Sequence, residues 1–277
     1  MTLDLIIPAT RPTALEKTLY SFSRGSRKPD MVTVVSNEVP SDLPHHGLPV
    51  RLIRFRSSRY PVGQMDVPLR RDIGIWSSDC THVLLFDDDQ IAPADLVDAS
   101  LRLLQSKPFF WGHYRYISFA GRTVDDLLHA PPAWGRTREY PPNAWHLWQS
   151  CYGGLFGAER KLLCELAGFD LVFCGRHGGD DQDLGRRIAR TLDHSDRVFI
   201  HEPPFAWHPE ERISWSEPGY TNLCAEHRLV EAEEAGIRIE RCAVCPYFRA
   251  LGEIGFRSEV RIPFDPDLVE TVAEVLG

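Results

Sequence analysis

No apolar run in this 277-residue sequence approaches the roughly 20 residues needed to cross a bilayer. The start, "MTLDLIIPATRP", has neither a basic leading stretch nor the long apolar core of a secretory leader. It reads as a first strand, and the chain is expected to be cytoplasmic. Positive charge is short: 31 Lys and Arg stand against 39 Asp and Glu, a formal net charge of −8. That argues against a phosphate-backbone polymer, so no nucleic-acid partner is expected. Repeats and low-complexity tracts are missing too. The early stretch "PATRPTALEK" has no glycine, where a glycine-rich phosphate loop would stand in a nucleotidyltransferase. In a reducing compartment the seven cysteines serve as thiols or metal ligands, not disulfides.

Hydrophobic content of 43% and charged content of 25% describe a globular protein with a real core. Leu3–Pro8 is a short apolar run, Met31–Ser36 a continuous apolar one, and Val50–Phe55 and Thr81–Phe86 read as a third and fourth strand, the pattern of strands buried on both faces. Between them Pro12–Phe22 carries Leu15, Leu19 and Phe22 at helical spacing, with Thr13 and Glu16 placed for a capping box. Arg70–Trp76 reads as helix, as does Pro93–Leu104 with Val97, Leu101 and Leu104 on one face. Later come a helix at Ala158–Leu166, another faced by Leu184, Ile188 and Leu192, and strands at Arg197–His201 and Phe205–His208. This alternation predicts an α/β fold with a mostly parallel sheet flanked by helices. Residues 1–210 form the expected main domain and 211–277 a small, mostly helical extension.

In such sheets ligands bind beyond the carboxyl ends of the strands. There stands "HVLLFDDDQ", three consecutive aspartates after an apolar strand. Asp87, Asp88 and Asp89 repel one another unless a cation or partner compensates. A hard divalent ion held through oxygen, with phosphate oxygens in its open positions, is one such partner. The plainer reading is a solvated turn that caps the next helix. A second acidic cluster, "GGDDQDL", places Asp180 and Asp181 at a helix start, where the dipole favours ionised carboxylates. A positioned carboxylate there can take a proton from an attacking hydroxyl; for Asp183 a capping role is preferred. His208, after an apolar pair, is either a further metal ligand or a structural histidine. The segment Phe109–Cys151 is dense in aromatics, Trp111, Tyr114, Trp134, Trp145 and Trp148 among them, and suits an irregular segment over a pocket. Trp145 and Trp148 equally suit one face of a short helix packed into the core.

The ordered set "LIIPATRP", "RRDIGI", "HVLLFDDD", "GGLFGAERKLLCELAGFD", "GGDDQDLGRRIAR" and a late His208 resembles family-2-like glycosyltransferases of the Rossmann-like GT-A fold. The resemblance runs from about Leu3 to His208. It implies that the triplet is a DxD motif binding Mn²⁺ or Mg²⁺ and the donor diphosphate. Asp87 and Asp88 would then face the nucleotide ribose, and Asp89 the metal, joined by Asp87 and His208. "GDDQDL" resembles the family's ED motif, which makes Asp181 the base and Asp180 its neighbour. Pro8, Ala9, Thr10 and Arg11 match the segment that holds the nucleobase, and Arg71 stands where a basic residue approaches the donor. Gly153 and Gly154 match the small residues beside the donor sugar. Under this resemblance Trp111, Tyr114, Trp134, Trp145 and Trp148 would be the acceptor wall, since aromatic faces pack on sugar rings. Two departures are plain. The acidic stretch after the second strand reads Ser36-Asn37-Glu38, leaving Asn37 as the candidate contact there, and ED reads Asp-Asp.

The tail holds a C-x₂-H and a C-x₂-C pair, Cys224 with His227 and Cys242 with Cys245. Two chelating pairs of thiolates and one imidazole suit a closed structural zinc site; buried thiols and a surface histidine are the alternative. The expectation from all this is metal-dependent transfer of a sugar from a nucleotide-sugar to an acceptor hydroxyl, with inversion. The rivals are a nucleotidyltransferase and a non-catalytic, metal-dependent carbohydrate-binding module.

Overall fold

The computed structural model describes residues 1–57, 66–117, 121–129, 151, 154–174, 180–193, 195–199, 205–209 and 263–276. Its elements follow in the order β1 (Leu3–Pro8), α1 (Pro12–Ser23), β2 (Met31–Val35), β3 (Val50–Ser57), α2 (Val67–Ser77), β4 (His82–Leu85), α3 (Leu96–Leu104), β5 (Phe109–Trp111), β6 (His113–Ile117) and α4 (Val124–His129). Then come β7 (Phe156–Glu159), α5 (Arg160–Glu165), α6 (Asp180–Thr191), β8 (Arg197–Phe199), β9 (Phe205–Pro209) and β10 (Val269–Leu276).

The first apolar run shows why the sheet forms. Every residue of β1 is buried. Side chains alternate across a strand, so Leu3, Leu5 and Ile7 join one cluster with Leu15, Leu19 and Phe22 of α1 and Val97, Leu101 and Leu104 of α3. Ile6 faces the other way, into a cluster with Ile75 of α2, Leu163 of α5, and Leu184 and Ile188 of α6. Helix α2 comes so close that a Cβ on Gly74 would lie 2.4 Å from Cγ2 of Ile6. The eight-stranded sheet has the order β10-β3-β2-β1-β4-β7-β5-β8. Strands β3, β2, β1 and β4 are mutually parallel; β7 runs against β4 and β5, and β10 against β3. The sheet is therefore mixed.

Four local expectations change. Phe156–Glu159 forms strand β7, so the helix expected from Ala158 starts only at Arg160. Ala158 is fully buried and pairs with Val83. β9 does not extend the main sheet but pairs with β6 in a separate two-stranded ladder. The described part of the tail holds β10, a strand on the main sheet's edge, where a mostly helical extension is expected. The Thr13/Glu16 capping box is not made: α1 opens on Pro12 with Arg11 at the N-cap and no side-chain cap bond. Gly153, Trp134, Trp145, Trp148 and the four zinc candidates Cys224, His227, Cys242 and Cys245 lie outside the described residues.

Candidate functional site

Beyond Leu85 the chain stays bonded to β1 for one more residue, Phe86 N–H donating to the Ile6 carbonyl at 3.1 Å. The three aspartates then emerge at the carboxyl end of the central β1–β4 pair. They do not cap α3, which starts at Leu96 behind Asp95. Asp88 and Asp89 share Arg11, while Asp87 goes to Arg71.

Asp88 turns inward and is 1% exposed. It accepts the backbone N–H groups of Thr10 at 2.6 Å and Arg11 at 2.8 Å, and Arg11 Nε at 2.9 Å, with Arg11 Nη2 on the same Oδ1. Asp88 thereby ties the loop after β1 to the end of β4. Its position by resemblance faces a ribose; in the structure these bonds are made within the chain. Thr18 of α1 fastens the same turn by donating to the Gln90 carbonyl at 2.7 Å.

Asp89 receives Arg11 Nη1 on Oδ2 at 2.6 Å, and that same oxygen lies 3.5 Å from His208 Nε2. An antiparallel bridge brings His208 there: Ile91 and Trp207 exchange backbone bonds of 2.8 and 2.9 Å. Burial pushes the Asp89 carboxyl above the usual range, against the pull of His208 and Arg11. An oxygen and an imidazole nitrogen at this spacing fit a two-point chelate for a divalent cation, with positions left for other ligands. Among the described residues no group of three or more His, Cys, Asp or Glu forms a ready cage. Asp87, the expected third ligand, is engaged elsewhere.

Its partner is Arg71, on α2 and only 4% exposed. Nη2 donates to Asp87 Oδ1 at 3.0 Å, while Nη1 donates to Asp180 Oδ2 at 2.9 Å and Asp181 Oδ1 at 2.8 Å. The guanidinium carbon sits 5.0 Å from the centre of the Phe169 ring, a favourable place for a desolvated cation. Burial alone would weaken its hold on the proton, but Asp181, Asp87 and Asp180 together raise it. Burial, reinforced by the charge of Asp180, pushes the Asp181 carboxyl well above its usual value, with Arg71 opposing. One arginine thus joins the two acidic clusters that the sequence showed separately. Asp183, two positions beyond Asp181 in the first turn of α6, pairs with Arg186 at 3.0 Å and Arg187 at 2.8 Å.

Gly154 reaches this group through strand register. In the antiparallel β4–β7 ladder Leu85 faces Phe156; two residues after Leu85 and two before Phe156, Asp87 meets Gly154. A Cβ on Gly154 would lie 2.0 Å from Asp87 Oδ1, so only glycine leaves the carboxylate where Arg71 holds it.

A second charged layer was not foreseen. Arg70, fully buried, donates to Asp66 Oδ1 at 2.6 Å, to both Glu38 oxygens at 2.7 and 2.9 Å, and to the Ala9 carbonyl. The Arg70 bond takes the Glu38 carboxyl from an ordinary 4.5 down to about 2. The signal was the dipeptide Arg70-Arg71 inside a helix whose other residues are mostly apolar: neighbours on a helix point to different sides. Asn37 is spent on β3, exchanging amide bonds with the Phe55 backbone at 2.9 and 3.0 Å. Pro8 ends β1 and Ala9 is buried, its N–H on the Val35 carbonyl at 3.1 Å. Trp111 is buried and stacks on Phe156 with centroids 4.7 Å apart, so its ring belongs to the core and not to an acceptor wall. Tyr114 lies on β6, the ladder that carries His208 on its other strand. A depression of about 500 Å³ lined by Ser41–Gly47 and Glu274–Leu276 lies at the opposite, amino end of the parallel strands, since Leu276 pairs with Val50, the first residue of β3.

No protein-family model matches this sequence and no curated protein matches it. Solved structures do. The S. aureus TarS structure of residues 1–349 superposes with a TM-score of 0.58 at 12% identity, covering 93% of this chain and 73% of that one. A mannosyltransferase from Pyrobaculum calidifontis, PcManGT, solved with GDP-Man and Mn²⁺, gives 0.52 at 15% identity over 92% of this chain and 70% of its own. GalNAc-T7, solved with UDP, GalNAc and Mn²⁺, gives 0.57 at 13% over 91% and 54%. TarS has also been solved with UDP and with UDP-GlcNAc. At such identities the likeness establishes the fold, and the fold is GT-A.

Proposed function

We propose that this chain is a glycosyltransferase that moves a sugar from a nucleoside-diphosphate sugar to an acceptor hydroxyl, with a divalent cation, Mn²⁺ or Mg²⁺, and inversion at the anomeric carbon. The observation that carries the proposal is Arg71, which gathers Asp87, Asp180 and Asp181 onto one guanidinium at the carboxyl end of the sheet. An acidic strand end and an acidic helix start rarely need each other for folding. Brought together beside Gly154, they form an electronegative floor with a small residue at its edge. The known ligands of the structural relatives add to this reading.

The roles follow from placement. Asp89 and His208 hold the cation, which when bound neutralises charge on the departing diphosphate. Asp88 fixes the loop of Pro8, Ala9, Thr10 and Arg11, against which the nucleoside lies. Asp181 takes the acceptor proton. Its raised proton affinity makes it a better base than an exposed aspartate, and Arg71 keeps its charge from colliding with Asp87 and Asp180. Gly154 leaves room for the Asp87 carboxylate, and by resemblance Gly153 and Gly154 are the small residues beside which the donor sugar would lie. The tail's two Cys/His pairs remain our candidates for a structural zinc, tested by elemental analysis of the purified chain, where one zinc per chain is expected and none would remove the assignment.

Asp181→Asn tests the transfer chemistry. The amide keeps the shape and a bond to Arg71 but cannot accept a proton. Turnover should fall by at least about 10²-fold, the lower end of what a positioned base supplies, while nucleotide-sugar binding by calorimetry stays within a few-fold. Unchanged turnover would take the base role from Asp181.

A further inference from the structure

We propose that Arg11 is a switching counter-ion: it competes with the divalent cation for Asp89 and is drawn off by the donor diphosphate, so that metal and nucleotide bind cooperatively. This rests on the metal-dependent transfer proposed above and names the residue that couples its two ligands.

Competition follows from one shared atom. Asp89 Oδ2 receives Arg11 Nη1 at 2.6 Å and lies 3.5 Å from His208 Nε2. A cation chelated by these two residues would sit about 2.0–2.1 Å from the Asp89 oxygen, the Mg²⁺ distance, on the atom that the guanidinium already holds. A dication and a guanidinium crowded on one partly buried oxygen repel with reduced screening. One of them must withdraw.

The arginine is the part able to move. Its side chain is 41% exposed, against 1% for Asp88 and 12% for Asp89. Asp88 keeps the backbone N–H groups of Thr10 and Arg11 if the guanidinium leaves, and Thr18 still grips the carbonyls of Asp88 and Gln90. The turn therefore survives the departure. Arg71 differs: nearly buried and shared among three carboxylates, it is a fixed cation. A diphosphate arriving at this end of the sheet offers Arg11 a replacement of matching shape, because a guanidinium fork fits paired phosphate oxygens. Nucleotide binding then frees Asp89 for the cation, and cation binding frees Arg11 for the nucleotide. The coupling must be reciprocal.

The experiment measures Mn²⁺ affinity of the whole chain by the paramagnetic resonance signal of the free ion, alone and with UDP or GDP, corrected for Mn²⁺ held by the nucleotide itself. Wild type, Arg11→Gln, Arg11→Lys and Asp89→Asn are compared. Without nucleotide, Arg11→Gln should bind Mn²⁺ about tenfold tighter than wild type, within the ordinary range of coupling between sites. The nucleotide that binds should tighten Mn²⁺ roughly tenfold in wild type and hardly at all in Arg11→Gln. Arg11→Lys keeps the charge but cannot span Asp88 and Asp89 with one fork, so it should move the same way by less, and it carries the test if the glutamine variant misfolds. If both arginine variants bind Mn²⁺ no tighter than wild type while Asp89→Asn loses it, the switch is wrong and the metal site stands. If neither wild type nor the arginine variants bind Mn²⁺ with either nucleotide, the metal-dependent reading falls, and the switch with it.

Discussion

Two neighbouring arginines divide the polar floor of this protein between them. Arg70 serves Glu38 and Asp66, Arg71 serves Asp87, Asp180 and Asp181. Buried charges are tolerable only when paired, and removing one partner strands the others. Arg71→Met should therefore destabilise the fold by about 3–5 kcal/mol in denaturant titration; a loss under about 1 kcal/mol, the scale of an exposed pair, would mean the three carboxylates do not depend on it. Glu38 gives a pH signature. Its folded carboxyl titrates at about 2 against an ordinary 4.5, so its contribution is complete above about 4.5 and is lost as pH falls toward about 2. The side chain is 45% exposed, which keeps the effect modest. Glu38→Gln should flatten part of the acid-induced fall in melting temperature across that window. Identical acid profiles for the two proteins would contradict the pairing. At this scale the sequence was read unevenly. The aspartates were legible because three like charges at the end of an apolar run need a compensating partner. Arg70 was missed because a buried charge on a helix leaves no periodic trace, and Asn37 was assigned outward because its bond to Phe55 depends on a strand pairing that sequence does not display.

Among the elements, β4 and β7 decide the site. β4 delivers Asp87, and the antiparallel register of β7 sets Gly154 against it. Gly154→Ala should push Asp87 away from Arg71, weaken nucleotide-sugar binding and lower the melting temperature by less than Arg71→Met does, because Asp180 and Asp181 stay on the guanidinium. Undiminished binding by the alanine variant would show that the close approach is not needed. β7 was hidden in a helix reading because four residues are too few for a period, and the spacing of Leu162 and Leu163 runs on directly from Ala158. Strands β1, β2 and β4 were plain, since burial on both faces leaves mostly apolar runs. β10 was not: six of its eight residues are exposed, so no buried face marks it as strand.

Over the whole molecule, a mixed GT-A sheet collects residues from β1, α2, β4, the approach to β7, α6 and β9 at one end. The sheet was foreseeable from alternation, and the end that binds followed from topology alone. What could not be foreseen was how the charges partition: Asp88 to the loop, Asp89 to Arg11 and His208, Asp87 to Arg71. The reading that gives them a common purpose is a metal–diphosphate clamp. Its most direct test is thermal melting of the wild type and Asp89→Ala with UDP-, GDP-, dTDP- and CMP-sugars, each with and without Mn²⁺. A ligand at a hundredfold excess over its dissociation constant stabilises the folded state by about 2.7 kcal/mol, an easily read rise. The clamp predicts a manganese-dependent rise with one nucleotide, lost in Asp89→Ala. No rise with any nucleotide in folded wild type, or a rise indifferent to both manganese and Asp89, would contradict it.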